Sequence, residues 1–309
     1  MEIFWGLDTF KKLDNAVVTM GTFDGVHLGH QQIFKDIVNT AIQHQSKSVV
    51  ITFDPHPRKV LNPSVQIPLI NTLEEKIELL AQTKIDYLIV IHFDKQFSEL
   101  SSLDFITEIL VNKIGCTQLV IGYDHHFGKN REGSFEYLKN NGHLFGFEVK
   151  EISAQKVNET KISSTAIRQY VIDGEIQKAN QLLNYPYTLT GSIINGEKIG
   201  RTIGFPTANF QVSNEKLLPK IGVYLAKIEI ENNSFFGMLN IGNKPTFGSN
   251  LLSIEIHIFD FNQDIYNKKA KLLLYQRIRD EIAFNNVNEL VYQLEKDKTI
   301  CQNIIQQYY

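Results

Sequence analysis

The sequence has few cysteines and no pattern that would put them to use. Two are present among 309 residues, Cys116 and Cys301, and they lie far apart and outside any metal-ligand spacing. This argues against a disulfide scaffold and against a cysteine-based zinc site. We interpret both as thiols in a reducing compartment and expect a cytoplasmic protein.

Long apolar runs and an excess of basic residues are also missing. No stretch approaches the roughly 20 apolar residues that span a bilayer, and residues 1–12 lack the apolar core of a signal peptide. A net charge of −3 and a pI near 6.3 argue against a general polyanion-binding surface. We therefore expect no membrane partner and no nucleic-acid partner.

The first half of the chain alternates strand-like and helix-like segments. Four segments are short, rich in β-branched residues and nearly all apolar, namely 16–20, 47–53, 87–92 and 118–121. Helical patterns separate them at 27–44, 73–82 and 103–113, with Ser101 and Ser102 as candidate N-caps of the last. This order predicts an α/β domain with a doubly wound parallel sheet. Ligands of such sheets bind beyond the carboxyl ends of the strands.

After two helical patterns, at 164–172 and 175–183, the second half changes in character. Strands are predicted at 188–194, 222–230, 235–241, 254–259 and 270–275, and a helix is predicted at 287–296. Short strands at this spacing indicate an antiparallel barrel. Pro186 blocks helix continuation, so we expect two domains, 1–184 and 185–309.

The first candidate site is the segment Gly21–His30, GTFDGVHLGH, between a strand and a helix. Its three glycines let the backbone approach a ligand closely. His27 and His30 are three residues apart at the helix start and hence share one face. Two imidazoles and a positive helix end suit a polyphosphate and would stabilise charge on a departing pyrophosphate. The alternatives are a Gly-rich turn with two surface histidines, or a zinc site that would need further ligands.

The second candidate site combines two segments of the predicted barrel. Thr207 and Asn209, in GEKIGRTIGFPTAN (196–209), share a face of an extended chain and present oxygens that suit Mg²⁺ held otherwise by water and ATP phosphates. In IEIHIF (254–259), alternation separates the isoleucines from Glu255, His257 and Phe259. Glu255 could then accept a proton from a hydroxyl. A hairpin with polar edge residues and a merely solvated glutamate are the alternatives.

These motifs resemble, in order, those of bacterial bifunctional riboflavin kinase/FAD synthetases. HLGH is similar to the HxGH signature of the nucleotidyltransferase superfamily. The family's second loop, flavin-side loop and mobile loop resemble FDPHPR (53–58), GYDHHFGKNREG (122–133) and KISSTAIR (161–168). Its riboflavin kinase module resembles GRTIGFPTAN, LPKIGVY, NIGNKPTFG, the pair Glu255/His257 and RDEIAF (279–284). The chain departs from the family at His125, His126 and Asn267.

The resemblance implies a Rossmann-like nucleotidyltransferase domain followed by a riboflavin kinase β-barrel with a C-terminal helix. The implied reactions are phosphorylation of riboflavin to FMN by ATP, and adenylylation of FMN by a second ATP to FAD with release of pyrophosphate. The expected ligands are therefore riboflavin, FMN, FAD, ATP and Mg²⁺. We expect a monomer or a weak homo-oligomer.

The resemblance also assigns roles to residues. Glu255 would be the catalytic base of the kinase, and His27, His30 and Arg168 would act on the departing pyrophosphate. The implied ATP-binding set of the adenylyltransferase is Gly21, Phe23, Asp24, Gly25, His27, Gly29, His30, Ser163, Ser164, Thr165 and Arg168. Its implied flavin-side set is Asp54, His56, Asp124, Phe127 and Arg131. For the kinase, Gly200, Arg201, Gly204, Thr207 and Asn209 would bind ATP, Thr207 and Asn209 would hold Mg²⁺ with the ATP phosphates, and Arg279 would lie on the flavin side.

Three other functions remain open at this point. The chain could retain only one of the two activities, or it could bind flavin as a carrier without the chemistry. A cytidylyltransferase or a pantetheine-phosphate adenylyltransferase would explain HLGH but would leave the predicted barrel unexplained.

Overall fold

Packing of Cα atoms divides the chain into two units, Met1–Ser164 and Thr165–Tyr309. The computed structural model describes residues 1–64, 67–122, 126–129, 132–152, 156–157, 160–196, 199–243 and 252–308. The boundary between functional domains at 184/185 stays a prediction, since a packing boundary does not define where an activity begins.

The first unit is built on a parallel sheet of six strands in the order β1-β4-β3-β2-β5-β8. The strands of this unit are β1 (Glu2–Trp5), β2 (Ala16–Met20), β3 (Lys47–Asp54), β4 (Tyr87–His92), β5 (Cys116–Gly122), β6 (His126–Phe127), β7 (Gly133–Ser134), β8 (Glu148–Ile152), β9 (Lys156–Val157) and β10 (Thr160–Lys161). β6 pairs with β7 and β9 with β10, both antiparallel. The predicted parallel α/β sheet is confirmed, and β1 and β8 are strands that the sequence analysis missed.

Helices connect the strands of this sheet. They are α1 (Leu28–Gln43), α2 (Pro57–Leu61), α3 (Leu73–Ala81), α4 (Lys95–Ser98), α5 (Ser102–Asp104) and α6 (Phe135–Asn141), with a π-helix at Phe105–Ile114 and a 3₁₀-helix at Gly142–Phe145. Ser101 is the N-cap of α5, because its hydroxyl accepts a hydrogen bond from the Asp104 N–H at 3.0 Å. The helix predicted at 103–113 is therefore present, but most of it is wound as a π-helix.

The sheet is buried on both faces, as the nearly all-apolar strands predicted. Successive residues of one strand enter different cores. Val18 packs in the cluster that contains Ile106 and Leu110 of the π-helix, whereas Val17 packs with Phe34 of α1 and Leu80 of α3.

The second unit is a closed antiparallel barrel in the order β11-β12-β15-β14-β13-β16. Its strands are β11 (Tyr187–Ile194), β12 (Ala208–Val212), β13 (Gly222–Ile230), β14 (Asn233–Asn243), β15 (Leu252–Ile258) and β16 (Lys269–Arg279). The remaining helices are α7 (Ser164–Asp173), α8 (Ile176–Leu183), α9 (Ile199–Thr202) and α10 (Val287–Tyr308). The predicted barrel and C-terminal helix are confirmed, and the helix runs twelve residues past its predicted end at 296.

Helix α8 is attached to the barrel by one side chain. The Asn180 amide donates to the Leu274 carbonyl at 2.9 Å and accepts from the Tyr187 N–H at 2.7 Å. At the turn before β16, Asn267 takes a left-handed φ of 62°, a conformation that asparagine tolerates better than most residues.

The start of α3 offers a test of the fold. Thr72 and Glu75 form a capping box, in which the Thr72 hydroxyl accepts from the Glu75 N–H and the Glu75 carboxylate accepts from the Thr72 N–H. We expect Thr72→Ala to lower the free energy of unfolding by about 1 kcal/mol, measured by urea unfolding followed by circular dichroism. Thr299→Ala, on the exposed middle of α10, is the control. Equal stability of Thr72→Ala and the wild type would contradict the capping role.

Candidate active sites

The Gly21–His30 segment leaves β2 at the carboxyl edge of the parallel sheet. From β2 the chain builds β3 and β4 on one side, and it then crosses to β5 on the other side of β2. Open α/β sheets bind ligands at such a reversal of strand order. The topology therefore places the first candidate site where this fold class keeps its ligands.

His27 is the N-cap of α1 and is nearly fully buried. Its Nδ1 accepts a hydrogen bond from the His30 N–H at 3.3 Å. An accepting Nδ1 carries no proton, so the neutral ring carries its proton on Nε2. The cap thus determines which ring nitrogen of His27 can donate to a ligand.

The rings of His27 and His30 are stacked, with centroids 3.6 Å apart and planes 17° from parallel. Burial lowers the pKa of His30 well below its ordinary value, and the charges of His27 and Lys76 lower it further. His30 Nδ1 is buried and has no hydrogen-bond partner within the described part of the chain. Two positive charges on imidazole rings in contact would repel each other strongly. His30 is therefore in its neutral form.

Strained backbone shapes the loop before these rings. Phe23, Gly25 and Val26 have φ of 47°, 88° and 37°; for phenylalanine and a β-branched valine this region is costly. The Phe23 ring packs edge-on against His30 and Phe34, with centroids 5.2 and 4.9 Å away. The packing of the Phe23 ring therefore helps to maintain a backbone conformation that phenylalanine disfavours.

Asp24, a predicted ATP-binding residue, forms hydrogen bonds that connect the loop to the segment before α3. Its Oδ1 accepts from the Ile70 and Asn71 N–H groups at 3.0 and 3.2 Å, and its side chain is buried. Its carbonyl accepts from the Ser164 hydroxyl at 2.8 Å. The structure therefore brings Ser164, the first residue of α7, against the Gly21–His30 segment, as the mobile-loop resemblance implies for a phosphate site.

The glycines of the segment are set among side chains. A Cβ on Gly21 would lie 3.0 Å from the Phe23 ring, and one on Gly29 would lie 3.3 Å from the His27 ring. Gly25 faces Ile70 in the same way. These glycines therefore make room for the Phe23 and His27 rings and for Ile70.

The remaining predicted residues of this site are dispersed. Asp54 ends β3, and His56 caps α2 by accepting from the Arg58 N–H at 3.2 Å. Phe127 packs 5.6 Å from Phe105, centroid to centroid. Ser163 directly precedes α7, Thr165 and Arg168 lie on α7, and Asp124 and Arg131 fall outside the described residues. The roles of these residues stay predictions.

One residue beside this loop was missed by the sequence analysis. Lys76, on α3, is only 7% exposed, and its Nζ donates to the Thr22 carbonyl at 2.7 Å and to the Thr52 hydroxyl at 3.3 Å. Nothing in the helical pattern signals this, because a lysine there is normally expected on the solvent face.

The second candidate site lies on the face of the barrel strands that points away from the core. Ile254, Ile256 and Ile258 are buried, whereas Glu255 and His257 are half-buried, which confirms the predicted alternation as far as Ile258. Phe259, predicted on the face of Glu255, lies past the end of β15 and is buried in a hydrophobic cluster. The Thr207 hydroxyl donates to Glu255 Oε2 at 3.2 Å. Hydroxyl and carboxylate therefore meet, although they are 48 residues apart in the chain.

Two asparagines flank Glu255 in the barrel. Asn209 on β12 and Asn240 on β14 both pair with Glu255 in the strand register, so the three side chains form a row on one face. Asn209 was predicted for this site, whereas Asn240 was not. The sequence alone does not predict that Asn240 lies beside Glu255, because this depends on the order and register of the strands.

The loop before β12 depends on close backbone approaches. A Cβ on Gly196 would lie 1.9 Å from the Asn209 amide nitrogen, and one on Gly200 would lie 2.1 Å from the Phe205 carbonyl. Gly204 has a left-handed φ of 83°. The predicted residue Arg201 donates to the Tyr266 hydroxyl at 3.3 Å. The glycines thus allow two close approaches, one to the Asn209 side chain and one to the Phe205 backbone.

His257 and Arg279 have structural partners. The His257 Nδ1 lies 2.8 Å from the Pro206 carbonyl, and burial lowers the pKa of this ring. Arg279, predicted on the flavin side, donates from Nε and Nη2 to the buried Asp297 carboxylate at 2.7–3.0 Å. Arg279 therefore attaches α10 to the end of β16, and its contact with flavin stays a prediction.

Metal and membrane features are limited within the described residues. There, no three or more His, Cys, Asp or Glu side chains form a group that could hold a metal ion. No helix in that part of the chain is both long and apolar enough to cross a membrane.

Comparison with known proteins decides the family. Residues 9–166 match the family model described as FAD synthetase, and residues 183–305 match the one described as riboflavin kinase. The chain belongs to the bifunctional riboflavin kinase/FMN adenylyltransferase family. The sequence resemblance stated above is thereby confirmed.

Relatives in this family match over almost the full length. The bifunctional riboflavin kinase/FMN adenylyltransferase of Listeria monocytogenes is 44% identical over 287 residues, covering 92% of this chain and 90% of the relative. That of Buchnera aphidicola subsp. Schizaphis graminum is 38% identical over 308 residues, covering 98% of both. A crystal structure from Streptococcus pneumoniae, described as a macrolide-efflux protein, has a TM-score of 0.90 at 32% identity and covers 98% of this chain and 99% of its own. The two chains therefore share their fold over almost their full lengths.

The neutral state of His30 predicts a pH dependence of stability. Because folding lowers the His30 pKa below the value near 6.5 of an unfolded chain, acid protonates the unfolded state first. Stability should therefore fall as the pH drops below about 6.5, by up to about 1.4 kcal/mol per pH unit from this ring. Urea unfolding at pH 7.5 and 5.5 should show a smaller acid loss in His30→Gln than in the wild type. Identical losses would contradict a neutral His30.

Proposed function

We propose that the two activities of this bifunctional enzyme are divided between its two units. The second unit phosphorylates the ribityl 5′-hydroxyl of riboflavin with ATP, giving FMN and ADP. The first unit joins FMN to the AMP part of a second ATP, giving FAD and pyrophosphate. The observation that carries this division is that each unit has its own built site: the stacked His27–His30 pair in one, and the Thr207–Glu255 contact in the other.

In the kinase reaction, Glu255 acts as the base. It accepts the proton of the riboflavin 5′-hydroxyl while the hydroxyl oxygen bonds to the γ-phosphorus of ATP and the bond to ADP breaks. The hydrogen bond from Thr207 orients the carboxylate. Asn209 and Asn240, beside Glu255 in the register, are placed to orient phosphate or hydroxyl groups next to the base.

Mg²⁺ is the metal we propose for the kinase site. The oxygens of Thr207 and Asn209 lie beside Glu255, and hydroxyl, amide and phosphate oxygens are the donors that Mg²⁺ prefers. The residues therefore fit the ion, with Thr207 and Asn209 as its protein ligands. Bound with ATP, Mg²⁺ would neutralise phosphate charge.

In the adenylyltransferase reaction, a phosphate oxygen of FMN bonds to the α-phosphorus of ATP and pyrophosphate departs. His27, with Nε2–H as its donor, and the neutral His30 stabilise the growing negative charge, together with the N-terminus of α1. Ser163, Ser164, Thr165 and Arg168 would bind the same phosphates. Asp54, His56, Asp124, Phe127 and Arg131 would lie on the flavin side.

The wider organisation is also proposed. We assign the adenylyltransferase to residues 1–184 and the kinase to 185–309, supported by family matches that end at 166 and resume at 183. The chain works in the cytoplasm as a monomer or weak homo-oligomer, with neither nucleic acid nor membrane as a partner.

The division of labour has a direct test. Purified protein receives ATP and Mg²⁺ with either riboflavin or FMN, and the products are separated by chromatography over time. His27→Ala should reduce FAD formation from FMN by roughly 10²–10³-fold and leave FMN formation intact. Glu255→Gln should reduce FMN formation by roughly 10²–10⁴-fold and leave FAD formation from supplied FMN intact.

The same experiment discriminates the alternative functions. Each variant is the control for the other, because both contain one unaltered site. Equal loss of both reactions in either variant would contradict the division. If the wild type makes FMN but no FAD, the proposed adenylyltransferase activity is wrong. If the wild type binds flavin but makes no product, the protein is a flavin carrier.

Gly196 provides a second test at the kinase site. Its missing Cβ leaves the space that the Asn209 amide occupies, so Gly196→Ala should displace Asn209 and reduce FMN formation by on the order of 100-fold. In an Asn209→Ala background, Gly196→Ala should reduce FMN formation much less, because the added Cβ no longer meets the Asn209 amide. Additive effects in this double-mutant cycle would show that Gly196 acts elsewhere.

A further inference from the structure

A lysine that belongs to none of the sequence motifs is buried beside the Gly21–His30 segment. Lys76 lies one turn into α3 and is 7% exposed. A buried ammonium is costly unless it is paired and hydrogen-bonded. The groups around Lys76 must therefore stabilise its buried charge.

The contacts of Lys76 connect three parts of the first unit. Its Nζ donates to the Thr22 carbonyl at 2.7 Å, immediately after β2, and to the Thr52 hydroxyl at 3.3 Å, within β3. The Thr52 hydroxyl also donates to the Thr22 carbonyl, at 3.4 Å. One cation thus joins α3 to the carboxyl ends of two adjacent parallel strands.

The charges around Lys76 belong to the same site. Asp24 and Asp54 attract its positive charge, while burial disfavours that charge and lowers the Lys76 pKa. In turn, the charge of Lys76 adds to burial and to His27 in lowering the pKa of His30. The charged or titratable groups that interact with this lysine are therefore the Asp24 and Asp54 carboxylates and His30.

We propose that Lys76 is a positioning residue of the adenylyltransferase site, which clamps the Thr22 carbonyl to β3 and places a fixed positive charge beside the histidine pair. The clamp holds the start of the strained loop that carries Phe23 and Val26. The charge adds to burial and to His27 in keeping His30 neutral, and it would complement the phosphates of a bound nucleotide. Two of the three ammonium N–H groups have acceptors among the described residues, so one N–H is left for a ligand oxygen.

The decisive variant is Lys76→Met, which keeps the length of the side chain and removes its charge and its donors. We expect the kcat of FAD formation from FMN to fall by on the order of 100-fold, with FMN formation unchanged. The His30 pKa, followed by NMR on histidine-labelled protein and assigned with His30→Gln, should rise. Lys35→Met, on the exposed side of α1, is the matched control and should change none of the three.

A purely structural role for Lys76 would lower stability without moving the His30 pKa, and that result would overturn the proposal. So would wild-type FAD formation in Lys76→Met. If circular dichroism shows that this variant unfolds, Thr52→Val decides instead: it removes one acceptor of the clamp, keeps the charge and should lower kcat roughly fivefold. An unchanged kcat there would refute the clamp. The inference rests on the proposed adenylyltransferase activity, whose own failure would appear as a wild-type protein that makes no FAD.

Discussion

The hydrogen bond from the His30 N–H to His27 Nδ1 is the contact on which the first site depends. It sets the first residue of α1, and by occupying Nδ1 it leaves the other nitrogen of His27 as the donor. The two rings are also stacked, with centroids 3.6 Å apart, and stacking with burial makes a second positive charge there unfavourable. The start of α1 and the tautomer of His27 thus follow from one bond between residues three apart. A local sequence motif can specify this site because its central contact is local.

The barrel site depends on a different constraint, the alternation of side chains along a strand. Once β15 buries Ile254 and Ile256, Glu255 must lie on the opposite face. Register then supplies its neighbours, Asn209 from β12 and Asn240 from β14. None of these neighbours is near Glu255 in sequence, so the site exists only when the barrel is closed correctly. A one-residue slip of β15 would send Glu255 into the core.

The sequence predicted the strands and helices whose hydrophobic periodicity is regular. It did not predict the features that depend on contacts between different strands and helices. The strands at 16–20, 87–92 and 222–230 have the predicted limits, because they are buried on both faces or alternate regularly. β1 and β8 were missed because edge strands lack neighbours on one side, and β8, EVKEI, is mostly polar. The π-helix at Phe105–Ile114 has an apolar pattern that does not differ from that of an α-helix. Lys76 was missed because its burial depends on a carbonyl 54 residues away.

Arg279 shows how a family resemblance and a structure can assign different tasks to one residue. The motif placed it on the flavin side, yet its guanidinium holds both oxygens of Asp297, which is fully buried, and also donates to the Asp280 carbonyl at 2.9 Å. Removing one member of such a pair leaves a buried charge uncompensated, at a cost of about 3–5 kcal/mol. These bonds use the Nε–H and one N–H of each terminal nitrogen, so the structural role of Arg279 does not exclude the flavin contact that the motif predicts. The pair with Asp297 fixes α10 against the end of β16, so a substitution of Arg279 would disturb the packing of α10 whether or not the guanidinium also contacts a ligand.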